Sequence, residues 1–179
     1  MSKKVLIIST SFRKNGNSDT LANAFSQGAE NSGNTVEMIR LAEKTIGFCK
    51  GCLACQKTQK CVIRDDANTI AEKMRTADVI VFATPIYYYE MSGQMKTLLD
   101  RANPLYSSDY AFRDIYLLTT AADTEEGTDA RAINGLEGWI ACFPKARLAG
   151  TVFAGGVNGI DEIEGHETLN KAYEMGKSI

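Results

Sequence analysis

The chain has 179 residues, of which 44% are hydrophobic and 23% charged, a composition typical of one compact α/β domain, here residues 1–179. Its 20 basic and 22 acidic side chains give a formal net charge of -2, which does not favour nucleic acid as a partner. No stretch approaches the roughly 20 apolar residues of a membrane span, and the first residues lack a signal-peptide pattern. We therefore expect a soluble cytoplasmic protein that acts on small molecules.

Short apolar runs alternate with segments of helical periodicity along the chain. The predicted strands are residues 4–9, 35–41, 78–84, 115–119 and 148–154. The predicted helices are residues 18–31, 66–76, 91–102, 133–143 and 164–177. Ser18 or Asp19 is expected to cap the first helix, and Gly33 is expected to adopt a left-handed conformation after its end.

Five apolar strands that alternate with helices predict a parallel sheet, because parallel strands need crossover connections that place helices over both faces. The predicted fold is an α/β three-layer sandwich of the flavodoxin-like type, with a five-stranded parallel sheet in the order 2-1-3-4-5. In this order a ligand lies beyond the carboxyl ends of strands 1 and 3, where the winding direction reverses. The loops at 9–20 and 84–89 are therefore the predicted binding loops.

The first of these loops joins a buried strand to a helix N-terminus, where free backbone N–H groups and the helix dipole suit a phosphate. Further donors in this loop are Ser11, Arg13, Asn17, Ser18 and Thr20. The chain has neither the Walker pattern nor a Gly-x-Gly-x-x-Gly fingerprint, so a monophosphate is the predicted ligand. The alternative is a polar loop with an ordinary helix cap.

The second loop contains Thr84-Pro85-Ile86-Tyr87-Tyr88-Tyr89. Pro85 is expected to fix a turn, after which backbone amides can approach the edge of a flat polar ring while aromatic side chains cover its face. The alternative is that the three tyrosines are strand-favouring residues that pack in a loop or in a subunit contact.

Together the two loops resemble the NADPH-dependent FMN reductase family of flavodoxin-like proteins. The resemblance is carried by Ser11-x-Arg13, Gly16-Asn17-Ser18, Thr84-Pro85-Ile86-Tyr87 and Ser92-Gly93-x-x-Lys96 up to Asp100-Arg101. It implies that Ser11, Arg13, Asn17, Ser18 and Thr20 hold the phosphate of FMN. It further implies that Pro85, Ile86, Tyr87 and Tyr88 line the isoalloxazine ring, and that Ala121, in the loop 120–123, flanks the ring from the other side.

Four cysteines, Cys49, Cys52, Cys55 and Cys61, follow the second predicted strand at a spacing that lets four thiols converge on one metal centre. This spacing resembles that of the iron-sulfur flavoproteins, which hold a [4Fe-4S] cluster beside FMN. A thiol-bearing structural loop, a zinc site and a reversible disulfide are the alternatives. The fifth cysteine, Cys142, is expected in the apolar core near Trp139 and Phe143.

The resemblance implies an FMN-dependent oxidoreductase that accepts hydride from NAD(P)H and passes electrons to a small acceptor such as a quinone or a flavin. This chemistry belongs to the cofactor and needs no catalytic side chain, so none is predicted. An iron-sulfur flavoprotein or a flavodoxin-like electron carrier that serves a protein partner is the alternative, and a redox sensor based on the cysteines is a further one. Relatives usually form homodimers or homotetramers, and the same is expected here.

Overall fold

In the computed structural model, which describes residues 2–179, five parallel strands form one sheet. With one further, two-residue strand, β4, the six strands of the described chain are β1 (Lys4–Ser9), β2 (Thr35–Arg40), β3 (Val79–Tyr87), β4 (Glu90–Met91), β5 (Asp114–Thr120) and β6 (Arg147–Ala154). The order is β2-β1-β3-β5-β6, and the two-residue β4 pairs antiparallel with the end of β3. The predicted order of the five parallel strands is confirmed, whereas β4 is an element that the sequence pattern did not predict.

Within residues 2–179, six α-helices lie between or after these strands. They are α1 (Asn17–Asn31), α2 (Ala54–Thr58), α3 (Asp66–Thr76), α4 (Gly93–Arg101), α5 (Ala130–Ile140) and α6 (Glu167–Lys177). Helices α1 and α6 pack on one face of the sheet, and α3, α4 and α5 pack on the other. The result is the predicted three-layer arrangement.

The alternation of side chains along the central strands divides the core in two. Val5 and Ile7 of β1 pack toward α1 and α6, whereas Leu6 and Ile8 face the other three helices. All four are at most 3% exposed, because a parallel strand in the middle of the sheet is covered on both faces. This explains why the first predicted strand is a continuous apolar run rather than an alternating one.

Helices α1 and α6 approach each other through two glycines. A Cβ at Gly28 would lie 2.0 Å from the carbonyl oxygen of Tyr173, and one at Gly176 would lie 2.1 Å from that of Phe25. Any side chain at either position would force the two helix backbones apart. Close contact between α1 and α6 therefore depends on these two residues.

Several predicted boundaries shift in the structure. Helix α1 begins at Asn17 with Gly16 as its N-cap, so the predicted cap at Ser18 or Asp19 is wrong, and α6 begins at Glu167 rather than at residue 164. Gly33 adopts the predicted left-handed conformation, with φ +83°. Cys142 is exposed, because it follows the end of α5 and faces outward, so its predicted core position is wrong. No helix within residues 2–179 is long and apolar enough to cross a membrane.

Candidate functional site

A cavity of about 340 Å³ lies at the carboxyl ends of β1, β3 and β5. Nine of the ten predicted binding residues line it: Ser11, Arg13, Asn17, Ser18, Pro85, Ile86, Tyr87, Tyr88 and Ala121. The structure does not bring Thr20 to the cavity, because the Thr20 hydroxyl turns back to the carbonyl oxygen of Gly16, at 3.4 Å. Val157 and Asn158 also line the cavity and were missed, although their position just after the carboxyl end of β6 was the available signal.

The loop before α1 leaves the amides at the helix N-terminus available to a ligand. No side chain in the described chain caps this helix, whose first-turn N–H groups have no intrahelical partner by geometry. The loop is tightly closed, because the Gly16 amide donates to the Arg13 carbonyl at 3.1 Å and the Arg13 amide donates to Ser11 Oγ at 3.2 Å. A helix N-terminus with free amides is a suitable site for a phosphate group.

Two of the predicted phosphate-binding side chains also hold the loop that follows β6. Arg13 Nη1 donates to the carbonyl oxygen of Asn158 at 2.5 Å, and Asn17 Nδ2 donates to that of Gly159 at 2.8 Å. On the far side of this loop, Glu162 accepts a hydrogen bond from the Asn158 amide at 2.6 Å. The backbone amides of Asn158 and Gly159 lower the pKa of Glu162 below its ordinary value.

The second loop differs from its prediction in one respect. Pro85 does not form a turn, because β3 continues through it to Tyr87 and Pro85 pairs in register with Thr120. The chain reverses instead at Tyr88 and Tyr89, with φ values of +52° and +65°. This left-handed conformation is unfavourable for tyrosine and holds an exposed aromatic hairpin beside the cavity.

Ser92, the N-cap of α4, connects the two loops beneath the cavity. Its hydroxyl oxygen accepts from the Met95 amide at 3.3 Å and from the Thr84 hydroxyl at 3.2 Å. It also lies 2.9 Å from the hydroxyl of Thr10, at the start of the first loop. One fully buried side chain thus fixes the start of α4 relative to both loops.

A second cavity, of about 450 Å³, is lined by all five cysteines of the chain. Cys55 is buried and accepts a hydrogen bond from Asn103 Nδ2 at 3.1 Å, whereas Cys49, Cys52 and Cys142 are exposed. Among residues 2–179, no three Cys, His, Asp or Glu side chains are grouped closely enough to hold a metal ion. The cysteine thiols therefore have the right chemistry for a metal centre, but they are not arranged around one point. Binding of a [4Fe-4S] cluster by these cysteines stays a prediction.

A buried ion pair lies beneath the cysteine segment. Arg101 Nη1 and Nη2 bind Asp65 Oδ2 and Oδ1 at 2.7 and 2.8 Å, and the Arg101 side chain is fully buried. Burial raises the pKa of Asp65, but the hydrogen bonds from Arg101, Gly47 and Ala67 outweigh it and leave this pKa below its ordinary value. The hydrogen bonds with Asp65 likewise raise the pKa of Arg101, so both groups are charged.

The cavity fits FMN on three counts. It offers unpartnered N–H groups to a phosphate, its size lies within the roughly 300–1,000 Å³ of small-molecule sites, and it has a wall of Pro85, Ile86 and Tyr87 for a flat ring. Fold and cavity together define a flavodoxin-like protein with a site for a phosphorylated ring compound.

The family follows from the sequence comparison. The chain matches the family described as NADPH-dependent FMN reductase over residues 3–155, and it belongs to that family, whose members bind FMN and use NAD(P)H. The resemblance inferred from the two loops is thereby confirmed.

Individual relatives agree with this placement. An iron-sulfur flavoprotein of Archaeoglobus fulgidus is 37% identical over 92 residues, which are 51% of this chain and 42% of that protein. One of Methanosarcina thermophila is 30% identical over 138 residues, 76% of this chain and 72% of that one. The chain spans about half the length of several curated relatives that it matches.

Solved structures confirm the fold. The NAD(P)H:quinone oxidoreductase from Methanothermobacter marburgensis superimposes with a TM-score of 0.78 at 18% identity, over 99% of this chain and 96% of that chain. At this identity the likeness establishes the flavodoxin-like fold.

Proposed function

We propose that this protein is an NAD(P)H-dependent FMN reductase that transfers electrons from NAD(P)H, through FMN bound in the cavity at β1, β3 and β5, to a small aromatic acceptor such as a quinone or a flavin. The observation that carries the proposal is one cavity that joins an uncapped helix N-terminus to a flat apolar and aromatic wall.

At the end of the cavity that we assign to the phosphate, the lining residues supply N–H and hydroxyl dipoles and one charged side chain. Asn17 and Ser18 of the first turn of α1 line the cavity, Ser11 and Ser18 add hydroxyl groups, and Arg13 is the only charged side chain among the described lining residues. Amides at a helix N-terminus and a guanidinium are both strong donors to a phosphate oxygen. These residues bind and orient the cofactor.

At the ring end, the residues position a flat surface and leave one side open. Pro85 and Ile86 line the cavity at the end of β3, and Ala121 lines it beside them, just after β5. When bound there, FMN would supply the redox chemistry: it would accept a hydride from NAD(P)H and pass two electrons to the acceptor, while the proton goes to the acceptor or to water. Tyr88 is 98% exposed at the edge of the cavity, where its ring can stack on an aromatic acceptor.

The test is steady-state oxidation of NADPH and of NADH by the FMN-loaded protein, with a quinone, free flavin and an azo dye as separate acceptors. We expect turnover with at least one acceptor and a loss of turnover in Arg13→Met, which removes the only charged side chain among the described residues that line the cavity. If the protein binds FMN but oxidises neither nucleotide with any acceptor, it acts as an electron carrier, and the reductase proposal is overturned.

A second candidate function is electron exchange with an acidic protein partner at the cysteine loop, which we define as residues 44–64. The loop holds five basic side chains and no acidic one, so all 22 acidic residues lie outside it. Its basic residues are all exposed, and none forms an ion pair with a residue of the described chain: Lys44, Lys50, Lys57, Lys60 and Arg64.

Exposed apolar side chains accompany this charge. Phe48 is 81% exposed and Leu53 is 56% exposed, a combination of apolar and basic groups that fits a docking surface for an acidic protein. A [4Fe-4S] cluster on Cys49, Cys52, Cys55 and Cys61 is part of this second candidate, and iron and acid-labile sulfide assays test it directly.

Replacing Lys50, Lys57 and Lys60 together by Gln tests the docking surface. Electron exchange with an acidic one-electron carrier protein should slow and lose its dependence on salt, while turnover with a quinone stays unchanged. Equal effects on both reactions, or no effect on either, would contradict the docking surface.

We also propose that the protein assembles as a homodimer or homotetramer. Phe12 and Tyr89 are more than half exposed and adjoin in the chain residues that line the cavity, so a second subunit that packs beside the cavity would cover them. Light scattering at several protein concentrations tests this, and a monomer at all of them would refute it.

A further inference from the structure

Arg101 is the largest fully buried side chain of the described chain, and it lies at the last position of α4. Besides Asp65, its Nη1 donates to the carbonyl oxygen of Gly47 at 2.7 Å, and its Nη2 approaches that of Ile63 at 3.4 Å. Gly47 precedes Cys49 and Ile63 follows Cys61, so one guanidinium contacts the chain on both sides of the four cysteines.

Asp65 completes this arrangement. Its Oδ2 also accepts a hydrogen bond from the Gly47 amide at 2.8 Å, and its Oδ1 accepts from the Ala67 amide at the start of α3. The backbone of Gly47 is thus held at both its N–H and its C=O by the same ion pair. Arg101 Nε is buried and has no partner within the described residues, a cost that the other four contacts must outweigh.

The opposite end of α4 is attached to the flavin cavity. Ser92, immediately before α4, contacts Thr10 and Thr84, which lead into the two binding loops. Helix α4 has nine residues, so its two ends are about 14 Å apart at 1.5 Å per residue. A single short helix therefore connects the flavin cavity to the base of the cysteine loop.

We propose that Arg101 is a positioning residue that clamps the base of the cysteine loop to the end of α4 and so sets the location of the four thiols relative to the flavin cavity. The guanidinium is suited to this role because its planar fork binds a carboxylate at two points while a further N–H reaches a carbonyl. The contacts of Arg101 are made within the chain, so the clamp does not depend on the reductase proposal. Only the identification of the first cavity as a flavin site rests on the proposed function.

Hydrogen–deuterium exchange resolved by segment tests the clamp on the full-length FMN-loaded protein. In Arg101→Gln, we expect the protected amides of the cysteine loop, among them Gly47, Gln59 and Cys61, to exchange about tenfold faster. In α1 and α6, which lie on the other face of the sheet, only amides that exchange through global unfolding should speed up, by the factor that urea unfolding of the same variant gives. Unchanged exchange in the loop, or an equal increase throughout the chain, would overturn the proposal.

Two further variants separate the clamp from general destabilisation. Arg101→Lys keeps the buried positive charge opposite Asp65. An ammonium has only three N–H donors on one nitrogen and cannot make the four contacts of the guanidinium, so loop exchange should still rise. Arg147→Gln removes an exposed arginine that also pairs with an aspartate, Asp114, and should leave loop exchange unchanged. FMN affinity, measured on the same samples, reports on the flavin cavity separately, so failure of the clamp and failure of the reductase proposal are distinguishable.

Discussion

Ser18 and Thr120 face each other across the base of the cavity, with their hydroxyl oxygens 2.8 Å apart and both side chains buried. Ser18 lies in the first turn of α1 and Thr120 is the last residue of β5. This contact joins the loop that we assign to the phosphate of FMN to the loop that flanks the ring. The two halves of the site are therefore one connected structure.

Ser18→Ala should weaken FMN binding. The substitution removes a hydroxyl group that lines the cavity, and loss of its hydrogen bond to the charged phosphate would cost about 1.5–3 kcal/mol. It also removes the hydrogen-bond partner of Thr120 Oγ1. We expect the Kd for FMN, measured by quenching of flavin fluorescence, to rise tenfold or more. Thr20→Ala is the matched control, because Thr20 does not line the cavity, and an equal effect of both substitutions would contradict the assignment.

Tyr88→Asn should separate stability from turnover. Tyr88 has a left-handed backbone, which asparagine tolerates better than tyrosine, and its ring is almost fully exposed. We therefore expect the free energy of unfolding to stay constant or to rise by about 1 kcal/mol. If the ring stacks on the acceptor, the KM for an aromatic acceptor rises in the same variant. An unchanged KM would remove Tyr88 from the acceptor site.

The Asp65–Arg101 pair predicts a particular loss of stability in acid. The pKa of Asp65 is lower in the folded chain than its ordinary value of 3.8, so the ionised form stabilises the fold above that value. This contribution is lost as the pH falls through the lowered pKa, because the proton then binds the unfolded chain preferentially. Urea unfolding between neutral and acidic pH measures the effect.

Asp65→Asn gives the control for this pH dependence. It leaves Arg101 charged and buried without its carboxylate, which we expect to lower the free energy of unfolding by about 3–5 kcal/mol at neutral pH. The difference from the wild type should shrink in acid, where Asp65 itself is protonated. A difference that stays constant with pH would show that the pair does not carry this effect.

Gly28→Ala should destabilise the protein strongly. A Cβ at this position would lie 2.0 Å from the Tyr173 carbonyl oxygen, so α1 and α6 must separate, and overpacking of this kind costs about 3 kcal/mol. Gly138→Ala is the matched helical control, since a Cβ there meets nothing within 4 Å and alanine favours the helix by about 1 kcal/mol. The thermal midpoint should fall in the first variant and rise in the second. Equal shifts of the thermal midpoint in the two variants would refute the close approach of α1 and α6.

The sequence predicted the strands and helices whose hydrophobic periodicity is evident within the segment itself. Val5 to Ile8 and Val79 to Phe82 are apolar runs with no competing pattern, and their parallel pairing follows from the helices between them. The binding loops were predicted because they must follow β1 and β3 in this topology. For the same reason, nine of the ten proposed binding residues line one cavity.

What the sequence did not predict depends on contacts between distant segments. Val157 and Asn158 follow β6, and hydrogen bonds from Arg13 and Asn17 to the carbonyl oxygens of Asn158 and Gly159, 145 and 142 positions away, hold this loop beside the cavity. The hairpin at Tyr88 and Tyr89 violates the local preference of tyrosine, so no propensity argument finds it. Arg101 is charged, and arginine side chains are usually exposed, so its burial was not expected. Its partners Asp65 and Gly47 explain this burial.

The most direct test of the central claim is reduction of the bound flavin without any acceptor. The FMN-loaded protein is mixed with NADPH, and separately with NADH, in the absence of oxygen while the visible flavin absorbance is followed. We predict that at least one nucleotide bleaches the flavin bands in proportion to the FMN bound, and that Ser18→Ala lowers the bound fraction. A flavin that stays oxidised with both nucleotides, or a chain that binds no FMN, would contradict the account.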